Sequence, residues 1–327
     1  MRFKQKIAKL SLIDSKDDSF RITTQINLDH LMDSINHVGM LNLPLLVEKE
    51  TGYKIVCGFR RIEACRRLNW ADVEVRILES DTKQLECITY AITDNSLQRP
   101  LNLIEQSISI NLLYPFFKDV SVLGQELSAM CLPDNPSIVK KIKELCHLPE
   151  SVQNGILSNT ISLAMALELG RLQQDARESF AKLFETLKLS LNKQKEILTI
   201  VKEISLREDI PILKVIKTDR VQKILSNEDL DRNQKIRKIR IYLKQRRFPV
   251  ITAAEKEFEN QLKKLKLGSG TKLIPPDNFE DSTYILKLFF KNLTQLKDRQ
   301  AKIDELIKNP SLRKILDRPS WYSVFKI

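Results

Sequence analysis

Gly58, Arg60 and Arg61 stand where a short β-favouring run gives way to a basic helix, and that combination can hold a phosphate. The run at residues 53–56 leads into Cys57, after which Ile62, Cys65, Arg66 and Leu68 recur at helical spacing. Residues 58–61 are therefore expected to form a strand-to-helix elbow whose first-turn N–H groups lack partners. Glycine lets the backbone approach a ligand, the helix N-terminus favours negative charge, and each arginine can offer a planar fork to phosphate oxygens. A Gly-x-Arg-Arg at a helix start is equally what a solvated basic turn looks like. These residues alone leave both readings open.

The elements that must position the elbow are legible around it. Strands are expected at 45–47 and 53–56, joined by the polar stretch 48–52, which ends in Thr51-Gly52 and suits a hairpin turn. Further strands at 9–13 and 73–78 and helices at 28–38, 61–68 and 83–91 make residues 1–100 an α/β domain, with Asn69 and Asp72 marking a turn. From 103 to about 245 the pattern is nearly continuous helix, broken at Pro115, at 132–136 and at Pro149, so residues 101–249 read as an all-α domain. Residues 250–327 read as a small α+β domain: a helix at 253–267, a break at 268–270, strands at 272–274 and 284–290, and a final helix at 293–316. The fold class is thus multidomain α+β.

Composition narrows the function classes. With 327 residues and 42% hydrophobic content the chain can build two or three packed cores. No run approaches ~18 apolar residues, and the apolar stretch after the basic N-terminus is too short for a signal peptide, so a cytosolic protein is expected. Cys57, Cys65, Cys87, Cys131 and Cys146 are scattered and odd in number, without a Cys-x-x-Cys pair, which argues against a disulfide framework or zinc site. His30, His37 and His147 add no metal-ligand spacing. The net charge of +12 divides as +1 over residues 1–118, +6 over 119–250 and +5 over 251–327. A pI near 9.4 with the excess outside the first domain calls for a polyanionic partner.

Two segments could meet such a partner. Residues 120–130 form an amphipathic helix with Leu123, Leu127 and Met130 on one face, residues 131–136 break it, and a second helix at 137–145 is expected to turn Ile138, Ile142 and Leu145 inward. Ser137, Lys140, Lys141 and Lys143 would then project from a helix-turn-helix into a major groove. The connection exceeds the usual ~3–4-residue turn, and two angled helices occur in many helical domains without binding DNA. Residues 232–247 hold Arg232, Lys235, Arg237, Lys238, Arg240, Lys244, Arg246 and Arg247 with no acid among them, over an apolar stripe of Ile236, Ile239 and Leu243. That run is either a docked helix with a solvated basic face or a phosphate-contacting helix.

Read on both sides, the elbow resembles the ParB family of chromosome and plasmid partition proteins, whose N-terminal domain shares its fold with sulfiredoxin. Residues 31–47 (LMDSINHVGMLNLPLLV) are similar to the family's Leu-x-x-Ser-Ile-x-x-x-Gly-Leu-x-x-Pro-Ile-x-Val pattern, and residues 58–70 (GFRRIEACRRLNW) to its Gly-Glu-Arg-Arg-x-x-Ala box. Residues 94–106 (DNSLQRPLNLIEQ) resemble its Glu-Asn-x-Gln-Arg box followed by Leu-Asn-Pro-x-Glu. Residues 145–152 and 161–166 look like the continuation of its helix-turn-helix. The resemblance covers at least the first 170 residues.

The resemblance implies a DNA-binding protein gated by CTP with Mg2+, acting in plasmid or chromosome partition or as a related nucleoid factor. It implies binding to a palindromic site on double-stranded DNA as a homodimer, with a ParA-type ATPase as a further partner. By position, Gly58, Arg60 and Arg61 would hold the triphosphate with Asp94, Asn95 would help place the metal, and Arg21 would lie near the nucleotide. Ser137, Lys140, Lys141 and Lys143 would read DNA, with Arg237, Lys238, Arg240 and Lys244 adding phosphate contacts. The family's glutamate after the elbow glycine is Phe59 here, Asp94 is shorter than the usual glutamate, and Gln98-Arg99 fall one place late. At most a slow CTPase is implied. Two other classes stay open: a nucleotide-dependent enzyme on the sulfiredoxin-like fold, acting by phosphoryl transfer or as a nuclease, and an adapter without nucleotide binding. The residue before the glycine, Cys57, lies in a β-run that predicts burial and low reactivity.

Overall fold

The computed structural model describes residues 3–279 and 281–317, which fall into two compact units, residues 1–195 and 196–327.

The first unit opens with a five-stranded mixed sheet built from β1 (Phe3–Lys9), β2 (Ile13–Asp14), β3 (Leu45–Lys49), β4 (Gly52–Cys57) and β5 (Asp72–Leu78), in the order β1-β5-β3-β4-β2. Alternation explains its core: Val73, Val75 and Ile77 of β5 are buried while Asp72 and Glu74 are exposed. The hairpin at 48–52 forms as an antiparallel β3–β4 pair, with an irregularity between Leu45 and Leu46 beside the end of β4. The strand expected at 9–13 does not form as one piece. The chain pairs from Phe3 to Lys9 along β5, makes a 3-10 turn at Leu10–Leu12, and crosses to pair β2 parallel with β4.

Three helices accompany the sheet: α1 (Asp29–Val38), α2 (Phe59–Arg67) and α3 (Gln84–Ser96). Ile62, Ala64 and Cys65 give α2 its buried face, and Cys87, Ile88, Ala91 and Ile92 do so for α3. The last turn of α3 extends beyond the expected end at 91 and carries Asp94 and Asn95.

Six helices lie wholly in the remainder of this unit: α4 (Leu103–Leu113), α5 (Val120–Ala129), α6 (Pro136–Lys143), α7 (Glu150–Leu157), α8 (Leu163–Gly170) and α9 (Gln174–Leu187). Asn102 caps α4 through the Ile104 and Glu105 N–H groups, and Asn135 caps α6 through those of Ser137 and Ile138. The end of α6 is tied to α4, because Ser107 Oγ and Asn111 Nδ2 donate to the Lys143 carbonyl at 3.0 and 2.7 Å. Leu123, Leu127, Met130, Ile142 and Leu145 are buried as their spacing predicts. Ile138 is not: Val139 takes the inward position beside Ile142, and Ile138 is 43% exposed, because the packing of α6 on its neighbours, not its own spacing, selects which side of the helix is buried.

The unit division falls inside α10 (Leu191–Glu208). The second unit continues with α11 (Ile212–Ile216), α12 (Asp219–Ser226), α13 (Arg232–Arg247), α14 (Pro249–Leu265), the antiparallel pair β6 (Thr271–Ile274) and β7 (Ile285–Leu288), α15 (Leu293–Lys308) and α16 (Pro310–Leu316). Phe258, Leu265, Leu273, Leu306 and Ile315 form a small core, with Phe279 edge-on and Tyr284 stacked on Phe258. The single helix expected at 293–316 is two. Asn309 ends α15 and caps α16, and Pro310 lacks the N–H a continuous helix needs. No helix among the described residues is long and apolar enough to cross a membrane.

Candidate functional site

Gly58 is the N-cap of α2 and adopts a left-handed conformation (φ +91°) directly after β4. A Cβ there would lie 3.1 Å from Pro44 Cα and 3.1 Å from Arg61 Nε, so the positive φ strains any side chain and the packing leaves it little room. Gly58 offers no side-chain cap, and its carbonyl accepts from the N–H groups of Arg61 and Ile62.

Above the elbow is a cavity of about 330 Å³ whose lining includes Gly58, Arg60, Arg61, Asp94, Asn95 and Arg99. Tertiary packing thus brings together five of the six residues assigned to the nucleotide. The sixth, Arg21, does not join them. It pairs with Asp18 at 3.2 Å, sits 5.8 Å over the Phe59 ring, and lines a neighbouring pocket of about 260 Å³. Gln25, Asn42, Gln98 and Arg99 line the cavity and were absent from the residues assigned by sequence. For Gln98 and Arg99 the signal was present in the box at 94–106; for Gln25 and Asn42, in loops with no motif, there was none.

Both elbow arginines are engaged within the chain. Arg60 donates to Gln25 Oε1 and to the Asn27 carbonyl at 2.7 Å each. Arg61 donates to the Asn42 carbonyl at 2.7 Å and forms an ion pair with Asp94 at 2.8 Å. Asn95 Nδ2 donates to the Ala91 carbonyl at 2.8 Å, which leaves its Oδ1 available. With Arg61 paired to Asp94 and Arg99 to Glu105 behind the lining, the three guanidinium groups leave one positive charge in excess, which fits an anion. Among the described residues no group of three or more His, Cys, Asp or Glu side chains could hold a metal. A divalent cation here would take Asp94, an amide oxygen and oxygens of the ligand, which suits Mg2+ coordination.

Arg99 is fixed from behind. Its guanidinium makes two 2.7 Å hydrogen bonds to Glu105, a carboxylate with 0% exposure. The same carboxylate accepts from the Thr24 N–H at 2.9 Å and the Asn102 N–H at 3.1 Å. Burial would raise the Glu105 carboxyl, but the bonds from Arg99, Thr24 and Asn102 outweigh it and hold it below its ordinary 4.5.

Phe59 is 9% exposed and forms part of the apolar base of the site, so no carboxylate occupies the first position of the helix. Cys57 is buried, and burial followed by the nearby Asp94 charge pushes its thiol well up, which removes it as a nucleophile.

The residues assigned to nucleic acid separate into free and committed groups. Ser137, Lys140 and Lys141 are exposed on α6. Lys143 is half-buried with its ammonium 3.2 Å from the Tyr114 ring centroid, so it braces the helix end. On α13, Ile236, Ile239 and Leu243 are buried as expected, but the basic face is not simply solvated. Arg240 pairs with Glu196, Lys244 with Glu255, Arg246 with Glu208 and Arg247 with Glu203, at 2.5–3.0 Å. Arg237 and Lys238 are exposed and carry no ion pair among the described residues. The run contains no acid, yet its neighbours in space supply four.

Residues 4–96 match the ParB N-terminal domain. The chain is 32% identical over 168 residues to the nucleoid occlusion protein of Oceanobacillus iheyensis, covering 50% of this chain and 56% of that protein. It is 28% identical over 187 residues to the nucleoid occlusion protein of Halalkalibacterium halodurans, covering 57% and 62%. The chain thus spans less than two thirds of the length of these relatives. Among solved structures it is similar to the C-terminally truncated chromosome-partitioning protein ParB from Caulobacter crescentus complexed to the centromeric parS site, at 21% identity, covering 58% of this chain and 96% of that one. The TM-score of 0.34 is too low to compare overall arrangements.

Proposed function

We propose, from the match of residues 4–96 to the ParB N-terminal domain and the likeness to nucleoid occlusion proteins, that this chain is a divergent ParB-family member acting as a nucleotide-gated, sequence-specific DNA-binding protein of partition or nucleoid-occlusion type. We divide the work among residues 1–100 for the nucleotide, 101–249 for DNA and 250–327 for pairing two copies. The observation that carries the reading is the left-handed Gly58 elbow, which opens with Arg60 and Arg61 onto a cavity shared with Asp94 and Asn95. CTP is the nucleotide of the reading. Its phosphates would be held by Gly58, Arg60 and Arg61, with Mg2+ at Asp94 and Asn95. When bound, Mg2+ would offset phosphate charge and order the triphosphate. The protein would work in the cytoplasm on plasmid or nucleoid DNA, with a ParA-type ATPase as partner.

Turnover is expected to be slow or absent. Phe59 cannot orient water or accept a proton, and Asp94 is already paired with Arg61. Phosphate release from CTP with Mg2+, measured with and without DNA, checks this; a brisk CTPase would show that the missing carboxylate is not limiting.

On the DNA side, α5 and α6 form the helix-turn-helix of this reading, Ser137, Lys140 and Lys141 face the groove, and Arg237 and Lys238 add charge. Ile285, Leu286, Phe289 and Phe290 are exposed on and after β7, which supports pairing of two copies through this region and hence a palindromic site. The test starts from a site enriched by the full chain from random duplex DNA. Lys140→Ala and Lys141→Ala are each expected to flatten the slope of log K against log salt by about 0.9 if they contact phosphate. Loss of a base contact should instead reduce the preference for the enriched site over shuffled DNA. Unchanged affinity and slope in the double variant would rule out α6 as the reader. An undiminished dimer in a chain ending at Pro249 would move the pairing surface elsewhere.

A further inference from the structure

Ile138 lies on the first turn of α6 and is 43% exposed, while Val139 and Ile142 supply the buried face of that helix. The packing of α6 therefore does not use Ile138. A single exposed isoleucine is ordinary on a protein surface; its neighbours give this one a role. Asn135 receives the Ser137 and Ile138 N–H groups at 3.0 and 3.3 Å and so fixes the start of the helix. Ser137 and Lys141 are one turn apart, Ile138 and Lys141 are three residues apart, and all three are exposed. One face thus presents a hydroxyl, a branched apolar group and an ammonium on the N-terminal turns of the second helix of a pair. In that position, side chains meet base edges.

In the major groove the apolar group that base pairs present is the thymine 5-methyl. We propose that Ile138 is a specificity-determining residue that packs on a thymine methyl, with Lys141 donating to base acceptors beside it. This rests on the DNA-binding reading above. Lysine at the same spot would seek guanine O6 and N7, so a thymine next to a guanine is the expected step.

The test uses the full chain and a site enriched from random duplex DNA, resynthesised with each thymine in turn replaced by deoxyuridine, which lacks only the methyl. At one or more positions the replacement should weaken binding by the parent about fourfold, the equivalent of ~0.8 kcal/mol for one buried methyl-sized group. Ile138→Ala should bind thymine and uracil versions alike, and Ile138→Val, which keeps a branched surface, should retain the discrimination. Indifference of the parent to every replacement overturns the inference, as does equal discrimination by Ile138→Ala and the parent. If the parent enriches no site, the DNA-binding reading falls and this inference with it; an enriched site that is blind to the methyl removes this inference alone.

Discussion

Replacing Glu105 by glutamine is expected to destabilise the first unit by about 2–3 kcal/mol, below the ~3–5 kcal/mol scale of a wholly buried ion pair because the carboxylate is buried but Arg99 keeps 30% exposure. Glutamine keeps the size of the side chain and can still serve the capping box with Asn102. What it loses is the charge that Arg99, the Thr24 N–H and the Asn102 N–H all address. Arg99 would then be left partly buried without its carboxylate, and loop residue Thr24 would keep only the Asn102 Nδ2 bond to its hydroxyl as a tie to the start of α4. Urea unfolding of parent and variant followed by fluorescence checks the magnitude; a loss under about 1 kcal/mol would mean that solvent already screens the pair. The pH dependence has a definite sign. The folded-state carboxyl is held below its ordinary 4.5, so its contribution is fully present above that value and declines as pH falls through the folded pKa. The parent should therefore lose stability on acidification below about pH 4.5, and Glu105→Gln should lack that part of the decline.

Arg60→Ala and Arg61→Ala should each weaken CTP binding by roughly 1.5–3 kcal/mol, the scale of hydrogen bonds to charged groups, or about ten- to hundredfold in Kd. Lysine at either position should not rescue it, because one ammonium cannot reproduce a fork that reaches two acceptors. The two variants should differ in a second readout. Arg60 holds the loop through Gln25 and Asn27, whereas Arg61 is 15% exposed and bonds both the Asn42 carbonyl and Asp94. Arg61→Ala should therefore also lower the melting temperature, since Asp94 loses its ion pair and keeps only the Gln98 amide. Calorimetric titration with CTP and Mg2+ beside a thermal melt separates the effects. If both variants bind CTP as tightly as the parent, the elbow does not hold the triphosphate.

By itself the sequence determined the features that a few consecutive residues control. The β4–Gly58–α2 elbow follows from a β-run, a residue free to take positive φ and a helical repeat. The β3–β4 hairpin and the buried faces of α5 and α13 follow from the same short-range periodicities. Three local readings slipped: a 3-10 turn divided the strand at 9–13, Val139 rather than Ile138 turned inward on α6, and Asn309-Pro310 divided the last helix. Only the tertiary structure decided which charges are available. Arg61 meets Asp94 across 33 residues, Thr24 meets Glu105 across 81, and Arg240, Arg246 and Arg247 meet acids of α10 across 38–44. Spacing along the chain carries no record of such partners. A helix or strand is set by backbone conformation within a turn or two, but an ion pair depends on where separate elements pack. The cavity at the elbow was therefore legible as a place, and the state of its arginines was not.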